Sequence, residues 1–315
     1  MRRIAPIILL AALLGSSVAP AQAGDGEAPP HVVVSLQPLH SLAAAVTDGV
    51  SEPKLLLAPG DSPHAYSMRP SEARALARAD LLVWIGPEFE RFLSAAVRNL
   101  GADAAVLPLA ELDAIELLRG RTGENWEPSG DDEHDHRHDH TVDYHLWLAP
   151  DNAATIGHAI AERLAELDPR HASTYRANAA DLEARLELLD RELREQLAPV
   201  RDVPYVVFHD AYQYFERAYQ LRPVGSVTVH PERPPGARHL RDLRRRIDTL
   251  GARCVFREPQ YAARTVQALT QENTLRHGVL DPLGYGVDPG PDAYFETLRN
   301  LADALTDCLA EPAAD

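Results

Sequence analysis

Short apolar runs alternate with amphipathic stretches along most of the chain. Val32 to Leu36, Lys54 to Leu57, Leu81 to Ile85 and Ala104 to Leu107 are brief and apolar, and turn residues bound them, as in strands buried within a sheet. Helical spacing fills the gaps: Ser41 to Thr47 ending at Gly49, Ser71 to Arg78, and Glu88 to Asn99 closed by Gly101. Strand and helix in strict alternation predict a parallel sheet with helices on its faces. The alternation resumes after residue 200. Tyr205 to Phe208, Val224 to Val229, Cys254 to Phe256 and Gly278 to Leu280 read as strands; Tyr212 to Tyr219, Ala237 to Leu250, Ala262 to His277 and Asp292 to Leu309 read as helices.

Between these halves a helical pattern from Ala153 to Leu167 breaks at Asp168-Pro169, and a longer one runs to Leu197. Its apolar residues, Tyr175, Leu182, Leu186, Leu189, Leu193 and Leu197, recur at spacings of three, four or seven. At 1.5 Å per residue such a helix is roughly 40 Å long. One segment without sustained heptads is a poor coiled coil and a good rigid connector. The predicted fold is therefore α/β: two lobes, each with a parallel β-sheet flanked by helices, joined by a long rigid α-helix. The expected division is residues 24–150 for the first lobe, 151–200 for the linking helices and 201–315 for the second lobe.

From Leu109 to Val142 the periodicity disappears, and the stretch is expected to be a mobile surface loop, with its polar part at about 120–142. It contains DDEHDHRHDHTVDYH, Asp131 to His145, in which His134, His136, His138 and His140 alternate with other, mostly acidic, residues. A His-rich tract is a compositional sign of metal binding. His145 stands apart from it, where the chain becomes apolar again at Leu146-Trp147-Leu148.

The N-terminus bears on compartment. Arg2 and Arg3, the apolar Ile4 to Leu14 and the small residues Ala21-Gln22-Ala23 have the pattern of a cleaved secretion signal, residues 1–23. The apolar run is too short to span a membrane, and no cysteine near the junction offers a lipid anchor. A soluble periplasmic monomer is expected. The formal charge of −16, about −18 without the signal, argues against nucleic acid and suits solubility or attraction of cations. Of the chain's two cysteines, Cys254 and Cys308, neither belongs to a CxxC pair, and in an oxidising compartment they are expected to form a structural disulfide.

Ligands in open α/β sheets gather at the carboxyl ends of strands. His64 lies in the loop after the second predicted strand, His145 follows the polar loop, and His209 ends the first strand of the second lobe. Asp281 ends that lobe's last strand and offers an oxygen. Taken singly, a histidine is more often a surface or hydrogen-bonded residue than a ligand; the shared placement singles out these three. His31, His40, His158, His171, His230, His239 and His277 have no such placement or sit on helical surfaces. Three imidazoles with a water or carboxylate form a tetrahedral site suited to Zn²⁺, whereas Mn²⁺ wants more carboxylates.

The stretches SLQPLHSLAAAV, PGDSPHAYSMRPSEARALARADLLVWIGPEFERFL, DYHLWLAP, FHDAYQYFERAYQL, CVFREPQY and LDPLG are specific in their order and spacing. Together they resemble the ZnuA-like zinc-binding proteins that serve bacterial zinc ABC importers, from about His31 to the C-terminus. That resemblance implies a bilobed protein carrying one Zn²⁺ in its cleft for delivery to a membrane permease. It implies His64, His145 and His209 as metal ligands, Cys254–Cys308 as the disulfide, and the acidic His-rich loop as a mark of the zinc branch. In the manganese branch the position of His209 looks like a glutamate. One departure is Pro63, where some zinc members have a glutamate before the first histidine; the fourth position then falls to Asp281 or water. His134, His136, His138 and His140 are expected to bind additional zinc weakly. The alternatives are a manganese or iron carrier of the same fold and a secreted zinc hydrolase. For the hydrolase, the chain has no HExxH and no evident general base.

Overall fold

The structure, a computed structural model, describes residues 28–100, 104–121, 126, 142–228, 231–232, 234–261, 266 and 275–310. The expected secretion signal and His134, His136, His138 and His140 lie outside the described residues. No helix among the described residues is long and apolar enough to cross a membrane.

In the first lobe, β1 (Val32–Val34), β2 (Lys54–Leu55), β3 (Leu81–Trp84) and β4 (Ala105–Pro108) form a parallel sheet in the order β2-β1-β3-β4. Val32 to Val34 and Leu81 to Trp84 are buried throughout, as strands covered on both faces must be. The crossovers are α1 (Gln37–Val46), α2 (Pro70–Leu76) and α3 (Arg91–Val97). Helix α1 begins four residues before its predicted start because Pro38 falls in its first turn, where an absent N–H costs no hydrogen bond.

The expectation of a structureless loop from Leu109 fails over the first part of that segment. Leu109, Ile115 and Leu118 are buried. Strand β5 (Leu118–Arg119) pairs antiparallel with β6 (Val142–Asp143), in the register Leu118 to Asp143. Two-residue strands have no period to detect, and here tertiary contacts order them.

Helix α4 (Pro150–Leu167) leads through a short turn into α5 (Ala172–Leu197), 26 residues long. All six apolar positions that predicted α5 are buried. The helix touches both lobes: Asn178 donates to the carbonyls of Val46 and Asp48 at 2.9 and 3.0 Å, and Glu192 pairs with Arg299 of the last helix at 2.8 Å. Gly157 allows α4 and α5 to approach closely, since a Cβ there would lie 2.7 Å from Leu182 Cδ2.

In the second lobe, β7 (Tyr205–His209), β8 (Pro223–Thr228), β9 (Cys254–Arg257) and β10 (Arg276–Val279) form a parallel sheet in the order β10-β9-β7-β8. Its helices are α6 (Gln213–Tyr219), α7 (Ala237–Leu250) and α8 (Ala293–Leu309). The helix expected over Ala262 to His277 is corrected at its end. Arg276 and His277 lie in β10, in register with Cys254 and Val255. Cys254, at the start of β9, is disulfide-bonded to Cys308 near the end of α8, which ties that helix to the sheet.

Candidate metal centre

In the second sheet β7 leads to β8 on one side and to β9 on the other, so the chain reverses direction of winding at β7. Crevices at such switch points, beyond the carboxyl ends of strands, receive ligands. His209 is the last residue of β7, and Glu258 directly follows β9. From the first lobe, His64 sits in a short turn, Pro63–Ala65, where its N–H donates to Ser62 Oγ at 3.3 Å. His145 follows the β5–β6 ribbon and opens the fully buried turn Leu146–Leu148.

These three histidines, far apart in sequence, converge. One nitrogen from each lies within 4.8 Å of the others, the only such group of three or more His, Cys, Asp or Glu side chains among the described residues. The Nε2 atoms of His145 and His209 face each other at 3.4 Å. Tetrahedral zinc with Zn–N bonds of 2.0–2.1 Å needs its nitrogens about 3.3 Å apart, so this pair is already at the spacing zinc requires. His64 is the exposed member, while His145 and His209 are buried.

Two carboxylates aim the buried rings. Asp143 Oδ1 accepts from both Nδ1 and the backbone N–H of His145, at 2.8 and 3.0 Å. Glu258 Oε1 lies 2.6 Å from His209 Nδ1. A carboxylate accepts only, so each Nδ1 carries the proton, and the neutral ring turns its Nε2 lone pair into the crevice. Burial disfavours the charged form of His209, but Glu258, with Asp210 and Asp143 behind it, outweighs this and raises the imidazole pKa above its ordinary value. Phe89 packs edge-on against His64 and His145, at centroid distances of 5.2 and 5.3 Å. Trp147 lies 5.3 Å from His145, and its Nε1–H donates to the Pro282 carbonyl at 2.8 Å.

Asp281 lies outside this group. Its Oδ1 accepts from the Leu283 N–H at 3.1 Å and from Gln260 Nε2 at 2.9 Å, and its Oδ2 accepts from the Tyr285 N–H. Those bonds fold the segment that the first lobe grips through Gln37, whose Nε2 donates to the carbonyls of Gly284 and Val287 at 2.9 and 2.7 Å. Tyr285 of this segment rests on Gly60 in the loop leading to His64: with φ at +97°, Gly60 has no Cβ, and one built there would lie 2.1 Å from the Tyr285 ring. The strand-end reasoning did not single out Asp143 or Glu258. The signals were a carboxylate two residues before His145 in DYH, and another just after a predicted strand in CVFREPQY.

Two α/β lobes joined by a long helix, with three imidazoles meeting between them, define a two-lobed metal-ion-binding protein. A family model described as zinc-uptake complex component A, periplasmic (ZnuA), matches residues 32–308, and the chain belongs to that family. It is similar to the high-affinity zinc uptake system protein ZnuA of Brucella suis, 38% identical over 99% of this chain and all of that protein. Among solved structures, a crystal structure of ZnuA superposes with a TM-score of 0.75 at 25% identity, covering 90% of this chain and all of that one. A zinc-bound ZnuA with residues 138–173 deleted superposes with a TM-score of 0.73 at 25% identity, covering 91% of this chain and all of that one.

Proposed function

We propose that this protein captures Zn²⁺ with high affinity in the periplasm and delivers it to the membrane permease of an ABC importer. His64 Nε2 or Nδ1 and the Nε2 atoms of His145 and His209 bind the ion, and water completes the tetrahedron. The observation that carries this reading is the 3.4 Å separation of two lone-pair nitrogens, with a third within 4.8 Å of both. An all-nitrogen donor set suits zinc better than manganese, which favours oxygen. Asp281 is a poor fourth ligand because its oxygens already accept three hydrogen bonds. Phe89 and Trp147 wall the crevice with apolar surface and pack against the histidine rings. The domain division at residues 150 and 200 follows the same logic: each lobe supplies ligands, and the helices between them fix the crevice.

Metal-stripped protein titrated with Zn²⁺ in competition with a chromophoric chelator tests the proposal. The expected result is one tight site, lost or weakened at least tenfold in His64→Ala, His145→Ala and His209→Ala. Wild-type affinity in all three variants overturns it. The tract from Asp131 to His140 is proposed to bind further zinc weakly: its deletion leaves the tight site intact and lowers the number of ions bound. Unchanged stoichiometry rules that role out.

A further inference from the structure

A second buried polar cluster lies beside the three histidines. Arg121 stands two residues beyond β5, with its side chain only 18% exposed. Its guanidinium is 3.3 Å from Asp210 Oδ1, is ion-paired to Glu216 Oε2, and lies over the Trp126 ring at 4.1 Å. The other Glu216 oxygen accepts from Tyr205 OH at 3.2 Å. Asp210 directly follows His209, and Glu216 lies on α6, which begins four residues after His209. A second joint lies next to the first. Tyr214 OH, also on α6, accepts from the Leu118 N–H at 2.9 Å and donates to the Asp143 carbonyl at 2.8 Å.

Both strands of the β5–β6 ribbon are therefore fastened to α6. His145 leaves the ribbon two residues after Asp143, and His209 leads into α6, so the two residues whose nitrogens face at 3.4 Å sit on opposite sides of one joint. We infer that Arg121 and Tyr214 form a clamp that sets the distance between His145 and His209, and so are positioning residues for zinc. This rests on the three-histidine reading given above.

The electrostatics require the clamp to be tight. Asp210 and Glu216 are 12% and 3% exposed, and Arg121 is the cation that pairs with both. Without it two buried carboxyl groups lose their shared cationic partner and draw in water, and the backbone that can yield is the end of β7 with the start of α6. His209 moves with that backbone. Metal–nitrogen bonds tolerate about 0.2 Å of error, so a small displacement there weakens coordination without unfolding a lobe.

The test uses the full chain, stripped of metal, with Arg121→Met, Arg121→Lys and Tyr214→Phe. Supporting outcomes are zinc affinity about tenfold or more weaker in Arg121→Met and Tyr214→Phe, faster zinc release to chelator, altered visible bands of bound Co²⁺, and partial recovery in Arg121→Lys. The melting temperature of metal-free Tyr214→Phe stays near that of wild type, which separates positioning from general destabilisation. If Arg121→Met does not fold, Tyr214→Phe and Arg121→Lys decide. Wild-type affinity, release rate and Co²⁺ spectrum in the folded variants overturn the clamp. Failure of the wild type to bind zinc overturns instead the reading on which it rests.

Discussion

His209 Nδ1 and Glu258 Oε1 are 2.6 Å apart, with both side chains almost wholly buried. The carboxylate fixes the tautomer, points Nε2 at the crevice and makes the imidazole a stronger base. Replacing Glu258 with glutamine keeps an acceptor of similar shape but removes the charge. Glu258→Gln is expected to bind zinc about 10-fold more weakly, and Glu258→Ala up to 100-fold more weakly, by chelator competition. Equal affinity in wild type and both variants would show that the contact only packs the lobe.

The same contact shapes the dependence on pH. Zinc takes the neutral imidazole, and the pKa of His209 lies above the ordinary value of about 6.5, because Glu258 outweighs the effect of burial. Protons therefore compete for this imidazole at a higher pH than for an ordinary histidine. Affinity should fall as pH is lowered from 8 to 5.5, by about tenfold or more, with the decline starting above pH 6.5. In Glu258→Gln the decline starts at lower pH, although the plateau affinity is smaller. Titration calorimetry across that range checks both statements, and a flat profile would count against histidine ligation.

Not all of this arrangement was legible in the residues. Helix α5 was, because Tyr175 and five leucines recur on one face without interruption, and burial of that face is what makes the helix. His64, His145 and His209 were legible because each follows a strand or a polar loop where the chain turns apolar again. Asp281 occupies an equivalent position, yet the DPLGYG turn after it captures its carboxylate through backbone N–H groups, a local competition that strand-end placement does not reveal. Glu258 is 49 residues from its partner His209, and only the pairing of β7 with β9 brings the two together. The β5–β6 ribbon has too few residues for any period. What orders it is Tyr214 and Arg121, contacts made across the fold.

Glu90 offers a separate test of the first lobe. It is fully buried, its Oε2 accepts from the Gly86 N–H at 3.0 Å, and it follows Phe89, which packs against the histidines. Burial pushes its pKa up to about 7, against the smaller opposing effects of the nearby Ser35 side chain and of backbone N–H groups. The folded state therefore keeps a proton that the unfolded state loses above about pH 4.5. This contribution to stability is complete below pH 4.5 and is lost as pH rises through 7. A displacement of that size corresponds to something on the order of 3 kcal/mol. Glu90→Gln retains the acceptor for Gly86 and cannot ionise. Its metal-free unfolding free energy, relative to wild type, should improve as pH rises from 5 to 8; a constant difference would show that Glu90 titrates normally.

The disulfide should govern stability and leave zinc affinity alone. Cys254 and Cys308 are 54 residues apart in sequence, and closing such a loop stabilises the fold by about 4 kcal/mol through loss of entropy in the unfolded chain. Cys254 opens β9 at the end of the strand away from the crevice, while Glu258 follows its other end, about 13 Å away at 3.3 Å per residue. The intervening residues are paired to β10, and Val255 also to β7, through backbone contacts that do not involve the sulfurs. Cys254→Ser/Cys308→Ser is expected to unfold at distinctly lower denaturant concentration, because the covalent tie between α8 and β9 is then lost. At low denaturant its zinc affinity should match wild type within about twofold, since the bond does not reach the residues that aim His209. A parallel loss of affinity and stability would mean that strain at the base of β9 is transmitted to Glu258, and that the strand is not the rigid spacer proposed here.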